Sequence, residues 1–443
     1  MRFQSGPVAG LAILAAAICA RGAEPAPMPV DPDIVKMVAS ISVERIQRSI
    51  FVLASFKTRH TLSDPLPSGD GIGGASAWIR AEFERASKAA GGRLQVDLDT
   101  FRQPARAPLF PQAADVTNVV ATLPGSGRRI FVITAHYDSR ARDILDAQSP
   151  APGADENASG VAAVLEAARA LAPYDFNATL VFLVATGGEQ GGIGAAHWAD
   201  QARQQHLDLN GVIDFDAVGN PRGAAGSRDL WLFAQGVPPR AERSAGLEGL
   251  IEAGGENDTP PRSFARAVRS AGLLYVPGSD IRIVYRAAGY RGQPGHLPFL
   301  ERGYPAVGFT EASGGAIRPD DTPDFVDFAY VADAARAGSA ALAALARAPS
   351  PPREVGFAPA PAGMGSVVRW SPRTGNPPTA AGYRIVWRES TAPYWEHALD
   401  VPGDARSAAV PGAFPDETIF GVEASDGAGH FSPAAFAKPA PGR

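Results

Sequence analysis

Apolar runs rich in β-branched residues alternate with a helix-patterned segment in the middle of the chain, and this order constrains the fold more than any other feature. Four runs have strand length and composition: 116–123, 130–135, 180–185 and 211–215. Between the second and the third lies segment 160–171, where Val161, Val164 and Leu165 recur at helical spacing. A strand–helix–strand order favours an α/β domain with a largely parallel sheet.

Two further helix patterns precede the first strand. Residues 31–56 carry an apolar stripe that includes Ile46, Ile50 and Leu53, and residues 75–90 repeat the pattern. A loop rich in Gly and Pro, 62–74, separates them. We therefore predict an α/β domain over residues 31–347.

The composition changes at residues 348–352, Ala-Pro-Ser-Pro-Pro, which predicts a linker. Beyond it the sequence has no helical period, and three short strand-like runs occur: 366–370, 382–387 and 418–422. Residues 353–443 are therefore predicted to form an all-β sandwich. The segment resembles a fibronectin type III module, through Trp370, the Tyr383 strand and the closing stretch 423–429. Such modules bind a protein or a surface, so no chemistry is assigned to this one.

The N-terminal segment has the pattern of a secretory signal. Arg2 is followed by an apolar run, 8–20, and by Ala20-Arg21-Gly22 at the cleavage spacing. The alternative, a membrane anchor, needs about 20 apolar residues, and this run is shorter. We predict a signal peptide at 1–22, a secreted or periplasmic protein and no membrane association after cleavage. The single cysteine, Cys19, falls inside the signal, which excludes disulfides and Cys-bound zinc in the mature chain. A net charge of −5 gives no indication of nucleic-acid binding.

Histidines and carboxylates follow several of these strands. His136 and Asp138 close one of them and lie two residues apart, so that Asp138 is placed to accept a proton from one imidazole nitrogen and leave the other for a metal. A surface histidine beside a helix-capping aspartate is the alternative. Asp155 and Glu156 precede the helix at 160, where capping explains one carboxylate but does not require two.

The remaining acids and the last histidine follow later strands. Glu189 comes after the run 180–185, Asp214 and Asp216 share a face at the end of 211–215, and His296 precedes an apolar run at 306–310. Ligands bind at the carboxyl ends of strands in open α/β sheets. The glycines around Glu189 lack the spacing of a phosphate loop. The sequence contains no G-x-S-x-G elbow and no H-E-x-x-H motif.

In combination these motifs resemble the two-zinc aminopeptidase family, the secreted bacterial leucyl aminopeptidase-like metallo-exopeptidases, over residues 31–345. The resemblance implies a mixed sheet flanked by helices and a peptide substrate. It implies two zinc ions at the strand ends, which share a water and lower its pKa while one of them polarises the peptide carbonyl. By position, His136 and Asp216 would bind the first zinc, Glu189 and His296 the second, and Glu156 would bridge them. Asp138 would orient His136, and Asp155 is the alternative bridging residue.

The family places its general base one residue before the zinc-binding glutamate, and this chain has Gly188 there. Two hypotheses follow. The chain is a secreted zinc exopeptidase in which another carboxylate, such as Glu156 or Asp155, carries the proton. Alternatively, it is a catalytically impaired aminopeptidase-like protein that binds metal or peptide without turnover.

Overall fold

The computed structural model describes residues 28–221, 228–236, 248, 251, 256–285, 295–312, 320–359, 365–373 and 379–437. The predicted signal peptide lies outside these residues. Across the part of the chain that is described, the helices are too short or too polar to cross a membrane.

A mixed eight-stranded sheet forms the centre of the larger domain. Its strands are β1 (Gln95–Gln103), β2 (Ala114–Leu123), β3 (Ile130–His136), β4 (Thr179–Ala185), β5 (Leu209–Phe215), β6 (Leu230–Phe233), β7 (Ile281–Val284) and β8 (Ala306–Glu311). Their order is β1-β2-β4-β3-β5-β8-β6-β7. The pairs β4/β3, β3/β5, β5/β8 and β6/β7 are parallel, and the other three are antiparallel. This confirms the predicted mixed sheet.

Helices cover both faces of this sheet. They are α1 (Pro32–Ala39), α2 (Val43–Ser55), α3 (Ile72–Ala89), α4 (Gly160–Leu171), α5 (Ile193–Gln204), α6 (Pro260–Tyr275), α7 (Leu297–Glu301) and α8 (Phe328–Arg347). Alternate residues of β3 point to opposite faces, as the pleat requires. Phe131 and Ile133 pack in the core that contains α4 and α8, whereas Val132 packs with residues of α5 and α7. The domain is thus a three-layer α/β/α arrangement.

The structure differs from the sequence prediction at several elements; strands β6 and β7, for example, were not predicted. The stripe at 31–56 is two helices, because the Oγ of Ser42 accepts the N–H of Arg45 and begins α2 after the end of α1. Strand β1 has no counterpart in the predicted runs. It lies at the edge of the sheet with mostly exposed side chains, so it lacks a continuous apolar run.

The C-terminal domain consists of two antiparallel sheets. The strands are β9 (Arg353–Ala358), β10 (Ser366–Ser371), β11 (Gly382–Glu389), β12 (His397–Pro402), β13 (Ser407–Val410), β14 (Thr418–Ser425) and β15 (Ala435–Phe436). Three form the sheet β13-β10-β9 and four form β12-β11-β14-β15. Val368 and Trp370 of the first sheet share an apolar core with Ile385 and Val422 of the second. The predicted strands at 366–370, 382–387 and 418–422 correspond to β10, β11 and β14.

Helix α6 carries the contact between the two domains. The Oγ of Ser263 donates to the carbonyl of Ala434 at 2.6 Å, and Nε of Arg266 donates to the carbonyl of Pro393 at 2.8 Å. The buried Arg388 of β11 pairs with Asp258 at 2.9 Å, just before α6. Each of these three side chains therefore has a specific partner in the other domain.

Candidate metal centre

Three neighbouring strand ends bring the predicted residues together. His136 is the last residue of β3, Asp216 follows β5, and Glu189 follows β4. Because β4, β3 and β5 are adjacent and parallel, their carboxyl ends lie side by side. Glu156 reaches the same place from the turn Ala154–Ser159, which leads into α4. The peptide bond between Glu156 and Asn157 is cis.

His136, Glu156 and Asp216 form a compact set of metal-binding atoms. Nε2 of His136 lies 3.0 Å from Oε1 of Glu156 and 3.4 Å from Oδ1 of Asp216. One donor atom from each of the three lies within 4.8 Å of the others. Burial and the neighbouring Asp216 carboxylate raise the pKa of Glu156 well above its ordinary value. A buried carboxylate, that of Asp216, and a partly buried one, that of Glu156, face one imidazole nitrogen and fit a divalent cation, which would offset their repulsion.

Asp138 fixes the orientation of the His136 ring. Its Oδ1 lies 3.4 Å from Nδ1 of His136, and its backbone carbonyl lies 3.1 Å from the same nitrogen. A proton on Nδ1 therefore has acceptors, and the lone pair of Nε2 is left facing the two carboxylates. Asp138 is buried, but its contact with His136 and two backbone N–H donors lower the pKa of its carboxyl. This is the arrangement expected of a metal-binding histidine.

The same carboxylate holds the loop after β4. Oδ1 of Asp138 accepts the N–H of Gly188 at 2.8 Å, and Oδ2 accepts the N–H of Glu189 at 3.0 Å. Gly188 packs against the imidazole: a Cβ at this position would lie 2.3 Å from Cγ of His136. The loop therefore has no room for a side chain at position 188.

Glu189 lies beside the three-residue set, and one of its carboxylate oxygens makes no hydrogen bond. Its Oε1 is buried and has no hydrogen-bond partner, and its Oε2 lies 3.9 Å from Nη1 of Arg140. Burial raises the pKa of Glu189 to about 7, although the nearby His136 acts in the opposite direction. Glu189 thus has one buried carboxylate oxygen without a hydrogen-bond partner, and its charge interacts with that of His136.

His296 is buried immediately before α7, next to Asp214. Its N–H donates to Oδ2 of Asp214 at 3.2 Å, and its Nε2 lies 2.8 Å from Oε1 of Gln235. Its Nδ1 lies 3.7 Å from Oδ2 of Asp214. Neither His296 nor Glu189 belongs to the set of donor atoms within 4.8 Å that the described residues form. The structure therefore brings three of the five predicted ligands into one set and places Glu189 beside it.

Asp155 and Glu156 point in different directions despite being adjacent. Oδ1 of Asp155 accepts the N–H of Gly219 at 2.7 Å, and its carboxyl hydrogen-bonds to Glu311. Burial, with the charge of Glu311 next in importance, raises the pKa of Asp155 well above its ordinary value. The side chain facing His136 is that of Glu156, the residue that the resemblance places at the bridging position.

Two residues that support the site had no signal in the sequence. Asp321 accepts the N–H groups of Asp155 and Glu156, each at 2.9 Å, and so fixes the turn that carries the Glu156 carboxylate. Arg59 is fully buried and donates to backbone carbonyls on both sides of the site, those of Leu53, Tyr137, Pro152 and Gly153. Both lie far from their partners along the chain, so local patterns do not reveal them.

Comparison with known proteins identifies the family. The profile of peptidase family M28 matches residues 118–338. A probable zinc metalloprotease from the fungus Pyrenophora teres f. teres is 35% identical over 437 residues, which cover 95% of this chain and 89% of that protein.

Solved structures share the fold at lower identity. LapA from Legionella pneumophila superposes with a TM-score of 0.53 at 17% identity, over 72% of this chain and 79% of that one. An aminopeptidase from Aneurinibacillus sp. strain AM-1 gives 0.51 at 15% identity, over 71% and 96%. The near full-length match is to a probable zinc metalloprotease, and His136, Glu156 and Asp216 form a candidate metal-binding set, so both observations indicate a metal-dependent protein. The chain belongs to peptidase family M28 and is a zinc metallopeptidase.

Proposed function

We propose that this protein is an exported exopeptidase of the aminopeptidase type, which removes residues from the free N-terminus of peptides with two zinc ions. The convergence of His136, Glu156 and Asp216 at one edge of the sheet carries the proposal. The N-terminal apolar run, 8–20, supports export. The fold shared with an aminopeptidase supports the reaction class by analogy.

The residues divide into two groups of candidate zinc ligands. His136 and Asp216 would hold one zinc, with Glu156 between the two ions. Glu189 and His296 would hold the second, and Oε1 of Glu189 is buried without a hydrogen-bond partner. Two zinc ions supply a water of lowered pKa and polarise the peptide carbonyl.

Proton transfer is assigned to Glu189. Position 188 has no room for a side chain, and Asp155 faces Gly219 and Glu311, away from His136. Glu189 has two carboxylate oxygens, so one oxygen is available for zinc while the other accepts a proton.

The test is hydrolysis of aminoacyl-p-nitroanilides by the purified protein loaded with zinc, beside N-acetylated versions of the same substrates. We expect hydrolysis of the free-amine substrates alone, and loss of zinc and activity in His136→Ala. The matched control is His197→Ala, because His197 pairs with Asp99 on the β1 side of the domain. Equal hydrolysis of the acetylated substrates would rule out the aminopeptidase assignment, and full activity of His136→Ala would rule out the zinc site.

A further inference from the structure

A cleft of about 360 Å³ lies where α6 faces the four-stranded sheet of the C-terminal domain. Ala271 and Leu274 of α6 form one wall, and Val386 of β11 and Trp395 form the other. None of the candidate zinc ligands lines it. Its volume falls within the range of small-molecule sites, which are mostly apolar with a few polar groups.

Glu423 lines this cleft beside Arg384. In register, Glu423 of β14 lies opposite Arg384 of β11, which in turn lies opposite Asp400 of β12. Arg384 donates from Nε and Nη2 to Asp400, at 2.6 and 2.9 Å. In the described part of the chain, neither carboxylate oxygen of Glu423 takes part in a hydrogen bond or an ion pair. Arg384 therefore donates its side-chain hydrogen bonds to Asp400 and makes none to Glu423.

The cleft has both carboxylates and guanidinium groups around it: Arg384 lines it beside Glu423, and Arg266 and Arg388 lie over the ring of Trp395, each with Cζ 5.6 Å from its centroid. Glu396 also lines it, and its Oε2 accepts the N–H of Glu389 at 2.9 Å. The charge of Arg384 is offset by Asp400, and the ring of His397 stacks on Trp387. Burial raises the pKa of Glu423 to about 8, although the charge of the neighbouring Arg384 acts in the opposite direction. A bound cation would give the ionised carboxyl a hydrogen-bonded partner.

We propose that this inter-domain cleft binds a small amphipathic cation, with its ammonium or guanidinium group against Glu423 and its apolar body against Ala271, Leu274 and Trp395. A charge-assisted hydrogen bond to a partly buried carboxylate gives both affinity and selectivity. The apolar walls select a ligand with a hydrocarbon or aromatic body. The site does not depend on the zinc centre or on the proposed peptidase activity.

The experiment is calorimetric titration of the full-length protein with phenethylamine at pH 8.5, beside 2-phenylethanol, which has the same body without the charge. We expect saturable binding of the amine, binding of the alcohol at least about tenfold weaker, and a similar loss of amine affinity in Glu423→Gln. The matched control is Glu417→Gln on the exposed surface of the same domain, with unchanged affinity.

A second variant keeps the test decisive if Glu423→Gln does not fold. Ala271→Phe fills the cleft from α6 and leaves the carboxyl in place, so it should abolish binding of phenethylamine. Equal affinity for the amine and the alcohol, or undiminished amine binding by either variant, overturns the proposal. Absence of amine binding by the unmodified protein does the same.

Discussion

Gly188 lies so close to His136 that the imidazole fills the space a side chain at position 188 would need. A Cβ there would lie 2.3 Å from Cγ and 2.5 Å from Cβ of the histidine. Asp138 maintains this approach, since it accepts the N–H of Gly188 and contacts the ring of His136. His136, the candidate zinc ligand, can therefore occupy this position only if residue 188, the predicted general-base position, is glycine.

Gly188→Ala and Gly188→Glu should both weaken zinc binding and lower activity. Either side chain must displace the imidazole or the loop, at a cost of about 1–3 kcal/mol typical of overpacking. Zinc content after dialysis against a chelator measures the loss of zinc binding. The free energy of unfolding of the zinc-free protein measures the packing cost.

The control is Gly382→Ala, where an added Cβ would lie 3.3 Å from its nearest neighbour, the carbonyl of Val401. That variant should keep its zinc and activity. A gain of activity in Gly188→Glu would mean that the loop has room for a base, and would reverse the assignment of proton transfer to Glu189.

Glu189→Gln should fold normally, lose turnover and bind less zinc. The amide keeps the shape of the side chain, but it cannot accept the proton and is a poor zinc ligand. Loss of a general base typically lowers kcat by about 10²–10⁴-fold. Steady-state kinetics and metal analysis of the same preparation separate the two roles.

Glu301→Gln serves as the control, because Glu301 is exposed at the end of α7. Normal turnover of Glu189→Gln would transfer the proton role to another carboxylate. Normal zinc content with lost turnover would leave Glu189 as a proton acceptor that does not bind zinc.

Asp138→Asn should weaken zinc binding by about 10–100-fold, the usual effect of removing the carboxylate behind a metal-binding histidine. An asparagine side chain offers one oxygen, whereas the loop presents two N–H groups, of Gly188 and Glu189. Competition with a fluorescent chelator measures the zinc affinity. Asp97→Asn on the exposed face of β1 is the control, and equal affinities in the two variants would contradict a positioning role for Asp138.

The strand ends were predictable because the relevant signals are local. Runs 130–135 and 211–215 each end beside a candidate ligand, His136 and Asp216, and parallel strands that are neighbours must bring such residues together. The position of Asp138 on the same strand end as His136 was predictable for the same reason. The side-chain direction of Glu156 was not, because it depends on the path of the turn Ala154–Ser159.

The supporting residues could not be predicted, because their partners are distant in sequence. Arg59 contacts carbonyls up to 94 positions away, and Asp321 is 165 positions from Glu156. No apolar period or spacing encodes such contacts. The tight packing of Gly188 on His136 was also invisible, since in the sequence it was simply a missing carboxylate.

Arg59→Lys should destabilise the zinc-free protein strongly. The guanidinium is buried and donates to four carbonyls, and a lysine ammonium has three donors that cannot span them. Unsatisfied buried carbonyls cost about 1–3 kcal/mol each. Denaturant unfolding measures the loss. The exposed Arg102→Lys should change stability by less than about 0.5 kcal/mol, and a similar small effect for Arg59→Lys would show that the buried network is dispensable.

Glu423→Gln should stabilise the protein at alkaline pH and have little effect in acid. Burial raises the pKa of this carboxyl from 4.5 to about 8 in the folded protein. Between these values the folded state holds a proton that the unfolded state has released, so stability falls as the pH rises through this window and levels off above pH 8. The glutamine side chain does not titrate, so the variant does not lose stability in this way.

The free energies of unfolding of Glu423→Gln and the unmodified protein should therefore be similar at pH 4.5 and diverge up to pH 9. The divergence has an upper limit of ~5 kcal/mol, since each pKa unit corresponds to ~1.36 kcal/mol. Other groups titrate equally in both proteins, so the difference isolates Glu423. A difference that stays constant with pH would show that the folded protein does not hold the carboxyl neutral, and that its ionised form already has a compensating partner in the cleft.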